Sequence, residues 1–189
     1  MQEPTPNPIL TVHVQYDKIV LIERMITMYT VGIITASDSG FIGKREDLSG
    51  PLIEKIVSEK GYDVVEKTLL PDDLDLLFQK IIQMSDEKKI NLILTTGGTG
   101  FSIRDNTPEA TEKALTKRAP GICEAIRAYS LQITPKAMLS RGVSGIRNQT
   151  LIVNLPGSPK AVKESLEYAL DAIHHGLEIL NGDVDNCAR

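Results

Sequence analysis

Short apolar runs alternate along this chain with longer segments whose apolar residues recur every three or four positions. The short runs predict strands at residues 31–36, 63–70, 90–95 and 150–155. The longer segments predict helices at residues 49–61, 74–82, 108–130 (with a break at Pro120-Gly121) and 159–180. Strands that alternate with helices favour a mostly parallel sheet covered by helices on both faces.

The chain divides into three parts. Residues 1–28 form an N-terminal extension. Its proline-rich residues 1–8 favour disorder, and the alternation around Asp17-Lys18 favours a small edge hairpin or an oligomer contact. Met28 also leaves a downstream translation start open. Residues 29–181 are predicted to form the single folded domain, and residues 182–189 a tail.

Composition narrows the class of protein. The chain has 189 residues, 41% of them apolar, and a formal net charge of −4. That length suits one domain, and that charge argues against nucleic acid as the main partner. No membrane span or signal peptide is found, so no membrane partner is expected and the expected location is cytoplasmic. The two cysteines form neither a disulfide framework nor a zinc motif.

The most informative polar segment follows the third predicted strand and runs Thr95-Thr96-Gly97-Gly98-Thr99-Gly100. Glycines let a backbone approach a ligand closely, and exposed N–H groups hold anions. Asp105 follows and adds a carboxylate. Ligands of open α/β sheets bind just beyond the carboxyl ends of strands. The segment therefore predicts a phosphate or nucleotide loop with an acid beside it.

Three further polar segments follow strands, at residues 35–50, 71–73 and 154–159. Because parallel strands end at one edge of a sheet, all four loops are expected to build one pocket. Arg141, beside Ser140, is the best cationic candidate, since arginine can hold phosphate through two parallel hydrogen bonds. A solvated surface position is the alternative for Arg141.

Each segment also has a purely structural interpretation. Ser37 or Asp38 suits a turn, Asp72 sits where a helix N-cap belongs, and Asp105 suits a cap or turn before Pro108. Taken together, four polar strand-end loops with three acids favour a binding site over four separate caps.

Common nucleotide-binding and hydrolase motifs are missing. The segment around Gly43-Lys44 has Asp38 and Arg45 where a P-loop needs glycine and Ser or Thr. No GxGxxG follows a strand, and no GxSxG nucleophile elbow is present. The sequence therefore excludes an ordinary P-loop NTPase and a nucleophile-elbow hydrolase.

Several motifs, in order, resemble the molybdopterin-binding domain family, and within it the short bacterial MogA/MoaB-type adenylyltransferases. The matching segments are residues 35–40, 47–50, 95–100, 104–105, 107–110, 140–141, 155–159 and 161–162. The resemblance covers about residues 29–181 and leaves the N-terminal extension outside the usual pattern of the short proteins.

The resemblance implies a three-layer α/β/α, Rossmann-like fold and a homotrimer, with a hexamer left open. It also implies adenylylation of molybdopterin by ATP and Mg²⁺ in molybdenum cofactor biosynthesis, releasing pyrophosphate and supplying a downstream molybdenum-insertion protein. Asp72 and Asp105 would be the catalytic acids and the magnesium ligands. The implied substrate- and nucleotide-binding residues are Thr35, Ser37, Asp38, Thr96, Gly97, Gly98, Thr99, Gly100, Ser140, Arg141, Asn154, Pro156, Gly157 and Ser158.

Two other functions stay open. A paralogue on the same fold would bind molybdopterin without adenylylation, or would act in a tungsten branch of the pathway. A CinA-like nucleotide-processing protein shares the domain but typically carries additional sequence. The presence of both Asp72 and Asp105 favours the adenylyltransferase.

Overall fold

The computed structural model of this protein describes residues 29–183. The predicted hairpin, the alternative start at Met28 and Cys187 lie outside the described residues. The elements in chain order are β1 (Thr30–Ala36), α1 (Asp38–Phe41), α2 (Ser49–Glu59), β2 (Asp63–Leu70), α3 (Leu74–Ile82), a π-helical turn (Gln83–Glu87), β3 (Leu92–Thr96), α4 (Thr107–Ala114), β4 (Lys117–Arg118), α5 (Gly121–Leu131), a 3-10 helix (Pro135–Leu139), β5 (Ser144–Arg147), β6 (Thr150–Leu155) and α6 (Pro159–Asn181).

The strands form one six-stranded sheet in the order β2-β1-β3-β6-β5-β4. The first four strands are parallel, while β5 pairs antiparallel with β6 and β4 antiparallel with β5. Because β1, β2, β3 and β6 run in one direction, the loops that follow them leave from the same edge of the sheet.

Each face of the sheet carries its own hydrophobic core. Val31 and Ile33 of β1 belong to the core that also contains buried residues of α2, α5 and α6. Ile34 and Ala36, on the opposite face, pack with buried residues of α3 and α4. This alternation is the period-2 pattern of a strand buried on both sides. The predicted three-layer α/β/α fold with a mostly parallel sheet is thereby confirmed.

The four predicted strands and the predicted helices are all present, and the sequence missed the shorter elements. The segment after Ser37, for which a turn was the structural alternative, forms the one-turn helix α1, capped by the Ser37 hydroxyl. Strands β4 and β5 were not predicted, and β4 lies between the two helices that follow Pro108. None of the helices in residues 29–183 is long and apolar enough to cross a membrane.

Candidate functional site

A pocket of about 370 Å³ lies at the carboxyl ends of β1, β3 and β6. Its lining residues are Thr35, Ala36, Ser37, Gly40, Arg45, Glu46, Asp47, Leu48, Ser49, Asp72, Thr96, Gly97, Gly98, Gly157, Ser158 and Pro159. All four predicted strand-end loops thus contribute to one region, as the parallel topology requires.

The structure brings part of the predicted residue set together. Those that line this main pocket are Thr35, Ser37, Asp72, Thr96, Gly97, Gly98, Gly157 and Ser158. Asp105 and Arg141 line a second pocket of about 460 Å³, and Ser140 and Pro156 line a third of about 210 Å³. The residues that line none of these three pockets are Asp38, Thr99, Gly100 and Asn154.

The glycine loop turns sharply where β3 ends. Gly97 has φ +86 and Gly98 has φ +60, which is the left-handed region that favours glycine. A Cβ on Gly97 would lie well under 3.0 Å from the carbonyl oxygen of Ala36. A Cβ on Gly98 would meet the Thr107 hydroxyl and lie 2.6 Å from Oδ1 of Asp72. The loop backbone therefore lies directly against β1 and against an acidic side chain.

Asp72 does not cap helix α3, although its position in the sequence suggested that role. Asp73 is the N-cap of α3, because its carboxylate accepts from the N–H groups of Asp75 and Leu76. Asp72 is 8% exposed, and its Oδ2 accepts from the backbone N–H of Asp38 at 2.9 Å. Among residues 29–183 its buried Oδ1 has no hydrogen-bond partner.

Burial raises the pKa of the Asp72 carboxyl, and repulsion from the Asp38 and Asp105 carboxylates acts in the same direction. The hydrogen bond from the Asp38 backbone and the charge of Arg104 lower the pKa of Asp72 and oppose this rise. The buried Thr107 hydroxyl also lacks a partner within the described part of the chain. Two unpartnered oxygens beside Gly98 form a place where a cation or a donor would be stabilised.

Asp38 and Arg104 form a two-point ion pair across the loops. The Arg104 Nε and Nη2 each donate at 3.0 Å, to Oδ2 and Oδ1 of Asp38 respectively. The hydrogen bond from Arg104 lowers the pKa of the Asp38 carboxyl below its usual range. Arg104 was quoted in the family signature but not predicted as a site residue.

Arg141 holds the loop that carries Asp105. Its Nε donates to the Gly100 carbonyl and its Nη2 to the Asp105 carbonyl, each at 2.6 Å, and its Nη1 pairs with Glu109. The Asp105 Oδ2 accepts from the Ser102 N–H at 3.1 Å. The guanidinium predicted to hold phosphate is thus engaged with protein groups on all three nitrogens.

Several predicted polar side chains support the loops. Thr96 donates to the Pro156 carbonyl at 2.6 Å, and Ser158 caps α6 through the N–H of Ala161. Asn154 is buried, and its amide nitrogen donates to Thr95 at 2.8 Å and to Thr111 at 2.9 Å. The side-chain oxygen of Asn154 accepts from the backbone N–H of Val143, which directly precedes β5.

The segment before α2 belongs to the first of the four predicted loops, but Asp47 and Ser49 were not predicted as site residues. The Asp47 Oδ2 accepts from Thr35 at 2.7 Å, and its Oδ1 accepts from the N–H groups of Ser49 and Gly50. Ser49 donates to the Gly157 carbonyl at 2.9 Å. The Asp-Leu-Ser-Gly run at residues 47–50, one of the motifs that carry the family resemblance, is the signal that marks these two residues.

An α/β/α domain with a glycine turn and a buried acid beyond the carboxyl ends of its parallel strands has the architecture of a ligand-binding protein, since ligands of open α/β sheets bind at that edge. Residues 32–175 match the family described as "Probable molybdopterin binding domain". The chain therefore belongs to the molybdopterin-binding domain family, and the resemblance found in its motifs is confirmed.

Relatives and solved structures agree with this family. A molybdopterin adenylyltransferase of Helicobacter pylori is 43% identical over 155 residues, which are 81% of this chain and 88% of the relative. The structure titled molybdopterin biosynthesis enzyme MoaB from Thermus thermophilus is 43% identical, with a TM-score of 0.78 over 82% of this chain and 98% of that one. The tungsten cofactor synthesizing protein MoaB from Pyrococcus furiosus is 33% identical, with a TM-score of 0.74 over 82% and 98%.

Proposed function

We propose that this protein is a molybdopterin adenylyltransferase of molybdenum cofactor biosynthesis. It transfers AMP from ATP to the terminal phosphate of molybdopterin and releases pyrophosphate. The observation that carries the proposal is the buried, unpartnered Asp72 oxygen beside the Gly97-Gly98 turn. The molybdopterin adenylyltransferases of Helicobacter pylori and Escherichia coli match most of the chain, at 43% and 39% identity.

The reaction asks little covalent chemistry of the protein. A phosphate oxygen of molybdopterin attacks the α-phosphorus of ATP, one P–O bond forms, and the bond to pyrophosphate breaks. A phosphate monoester has its second pKa near 6, so at pH 7 the nucleophile already carries its negative charge. No general base is needed, and the chain contributes by positioning two anions and by balancing their charge.

Magnesium is implied by this activity, and the residues present fit it. Mg²⁺ prefers oxygen ligands and commonly uses one or two carboxylates, with phosphates and waters completing its shell. Asp72 and Asp105 would hold it, next to the Thr107 hydroxyl, and it would neutralise phosphate charge.

The other predicted residues take two roles in this proposal. Thr35, Ser37, Gly157 and Ser158 line the main pocket and bound the space for the substrates. Asp105 lies on the loop that Arg141 fastens, so its position depends on that arginine. The polar loops thereby hold the reacting groups without supplying a nucleophile.

The direct test incubates the protein with molybdopterin and MgATP and detects adenylylated molybdopterin by mass spectrometry. Asp72→Asn and Asp105→Asn are expected to abolish adenylylation while molybdopterin binding stays measurable. Asp75→Asn is the matched control, because Asp75 is an exposed residue of α3 whose carboxylate pairs with Lys113. Full activity in either active-site variant would remove that acid from the mechanism.

The second candidate is a molybdopterin-binding protein without adenylylation, or one that acts in a tungsten branch. The tungsten branch is supported by the similarity to the tungsten cofactor synthesizing protein MoaB of Pyrococcus furiosus. Molybdopterin bound by the wild-type protein with no adenylylated product, under conditions where an established adenylyltransferase works, would select this candidate.

The proposal extends to assembly and location. We infer a cytoplasmic homotrimer that passes its product to a molybdenum-insertion protein, supported by the motif resemblance and by the family match. Sedimentation equilibrium separates a trimer from a hexamer or a monomer.

A further inference from the structure

The carboxylates of Asp38 and Asp72 are tied to each other's backbone. The Asp38 N–H donates to Oδ2 of Asp72 at 2.9 Å, and the Asp72 N–H donates to Oδ1 of Asp38 at 3.0 Å. Two like charges are thus held close together by reciprocal hydrogen bonds. A neighbouring like charge disfavours the ionised form of each carboxyl, and a nearby cation offsets that repulsion.

Arg104 is that cation. Its guanidinium donates to both oxygens of Asp38, at 3.0 Å each. Oδ1 of Asp38 therefore receives Arg104 and the Asp72 N–H at once. Asp38 follows β1, Asp72 follows β2 and Arg104 follows β3, so the Asp38 carboxylate links three strand-end loops, with Arg104 as its cationic partner.

We propose that Arg104 is a positioning residue for adenylyl transfer: by fixing Asp38, it orients the Asp72 carboxylate so that Oδ1 faces Gly98. The inference rests on the proposed function and adds a residue to it. The shared geometry carries it, since Oδ2 of Asp72 is engaged with Asp38 while Oδ1 stays unpartnered 2.6 Å from the place of a Gly98 Cβ.

Stability alone does not explain this ion pair. The side chains of Arg104 and Asp38 are 55% and 45% exposed, and exposed pairs contribute little to folding. A two-point guanidinium–carboxylate contact instead fixes direction, which a single ammonium cannot do. The expected consequence of losing Arg104 is a misdirected Asp72 in a protein that remains folded.

The test compares Arg104→Gln, Arg104→Lys, Asp38→Asn and the double variant Arg104→Gln/Asp38→Asn in steady-state adenylylation. Arg118→Gln is the matched control, because Arg118 is an exposed arginine of β4 that pairs with Glu112 of α4. Thermal melting by circular dichroism verifies that each variant folds.

We expect Arg104→Gln to lower kcat by about 10- to 100-fold, since a displacement of about 1 Å at a reacting centre has effects of that size. KM for ATP and for molybdopterin should stay within about three-fold, because ground-state binding is not removed. Arg104→Lys should fall between Gln and wild type. The double variant should be no worse than Arg104→Gln alone, because both changes break one unit.

Three results would overturn the proposal: an unchanged kcat in Arg104→Gln, a raised KM at unchanged kcat, or additive losses in the double variant. The raised KM would make Arg104 a phosphate ligand.

Amide hydrogen exchange supplies a readout that does not need activity. The Asp38 and Asp72 amides should exchange faster in Arg104→Gln and stay as in wild type in Arg118→Gln. An inactive wild type with that exchange pattern would refute the adenylyltransferase function and would support only the part of the proposal in which Arg104 holds Asp38 and Asp72 in place.

Discussion

Gly97 is the position where the site is most sensitive to one added carbon. Gly97→Ala places an L side chain at φ +86, which costs about 1–2 kcal/mol. The new Cβ would also lie well under 3.0 Å from the Ala36 carbonyl oxygen and 3.3 Å from its carbon. Overpacking against backbone that cannot rotate away adds about 1–3 kcal/mol. The expected loss of unfolding free energy is therefore about 2–5 kcal/mol.

Gly61→Ala is the matched control for this prediction. Gly61 has the same φ of +86, but a Cβ there meets nothing within 4 Å, so only the backbone strain of about 1–2 kcal/mol is expected. Urea unfolding followed by circular dichroism measures both variants. Adenylylation assays should show lost activity for Gly97→Ala and near wild-type activity for Gly61→Ala. Equal destabilisation of the two variants would refute the close approach of the glycine loop to β1.

Two further contacts and the N-terminal extension can be tested in the same way. Arg141→Met should lower the unfolding free energy by about 1.5–3 kcal/mol, because charged hydrogen bonds to the Gly100 and Asp105 carbonyls are lost. Arg118→Met is the control and should not lower it. Urea unfolding measures both variants, and equal effects would contradict the role of Arg141 in holding the loop. Asp86→Asn should destabilise the protein at pH 7, because hydrogen bonds from Arg147 lower the pKa of the Asp86 carboxyl in the folded state. That stabilisation is present above the unfolded pKa of about 3.9 and is lost as pH falls through the folded pKa. The unfolding free energies of wild type and variant should therefore converge in acid, and a constant difference between them would contradict this prediction. Deleting residues 1–27 should leave a folded protein with a cooperative thermal transition, and aggregation of the truncated chain would show that the extension belongs to the core or to the assembly.

The sequence predicted the central sheet because its signal is local. Strands β1 and β3 are buried on both faces, and strands buried in this way consist of continuous apolar runs that can be recognised in the sequence. Strand β5 has four residues, Ser144–Arg147, without a long apolar run. It exists through antiparallel pairing with β6, which is a long-range interaction that local periodicity does not encode.

The candidate site was predictable as a region but not as a set of roles. Asp72 and Asp73 are chemically alike, and only the register of α3 decides that Asp73 caps the helix while Asp72 turns inward. Arg141 was interpreted as a phosphate ligand, yet its partners are carbonyls of a loop about forty residues earlier in the sequence. Such engagements depend on how loops meet in space, which residue type alone does not specify.

The product that receives the labelled phosphate of ATP distinguishes the proposed reaction from its alternatives. Wild-type protein is incubated with molybdopterin and Mg²⁺ and with ATP labelled at either the α- or the γ-phosphate, and products are separated by chromatography. We predict that the α-label appears in the molybdopterin product and the γ-label in pyrophosphate. Transfer of the γ-label to molybdopterin, or bound molybdopterin without any label, would contradict an adenylyltransferase.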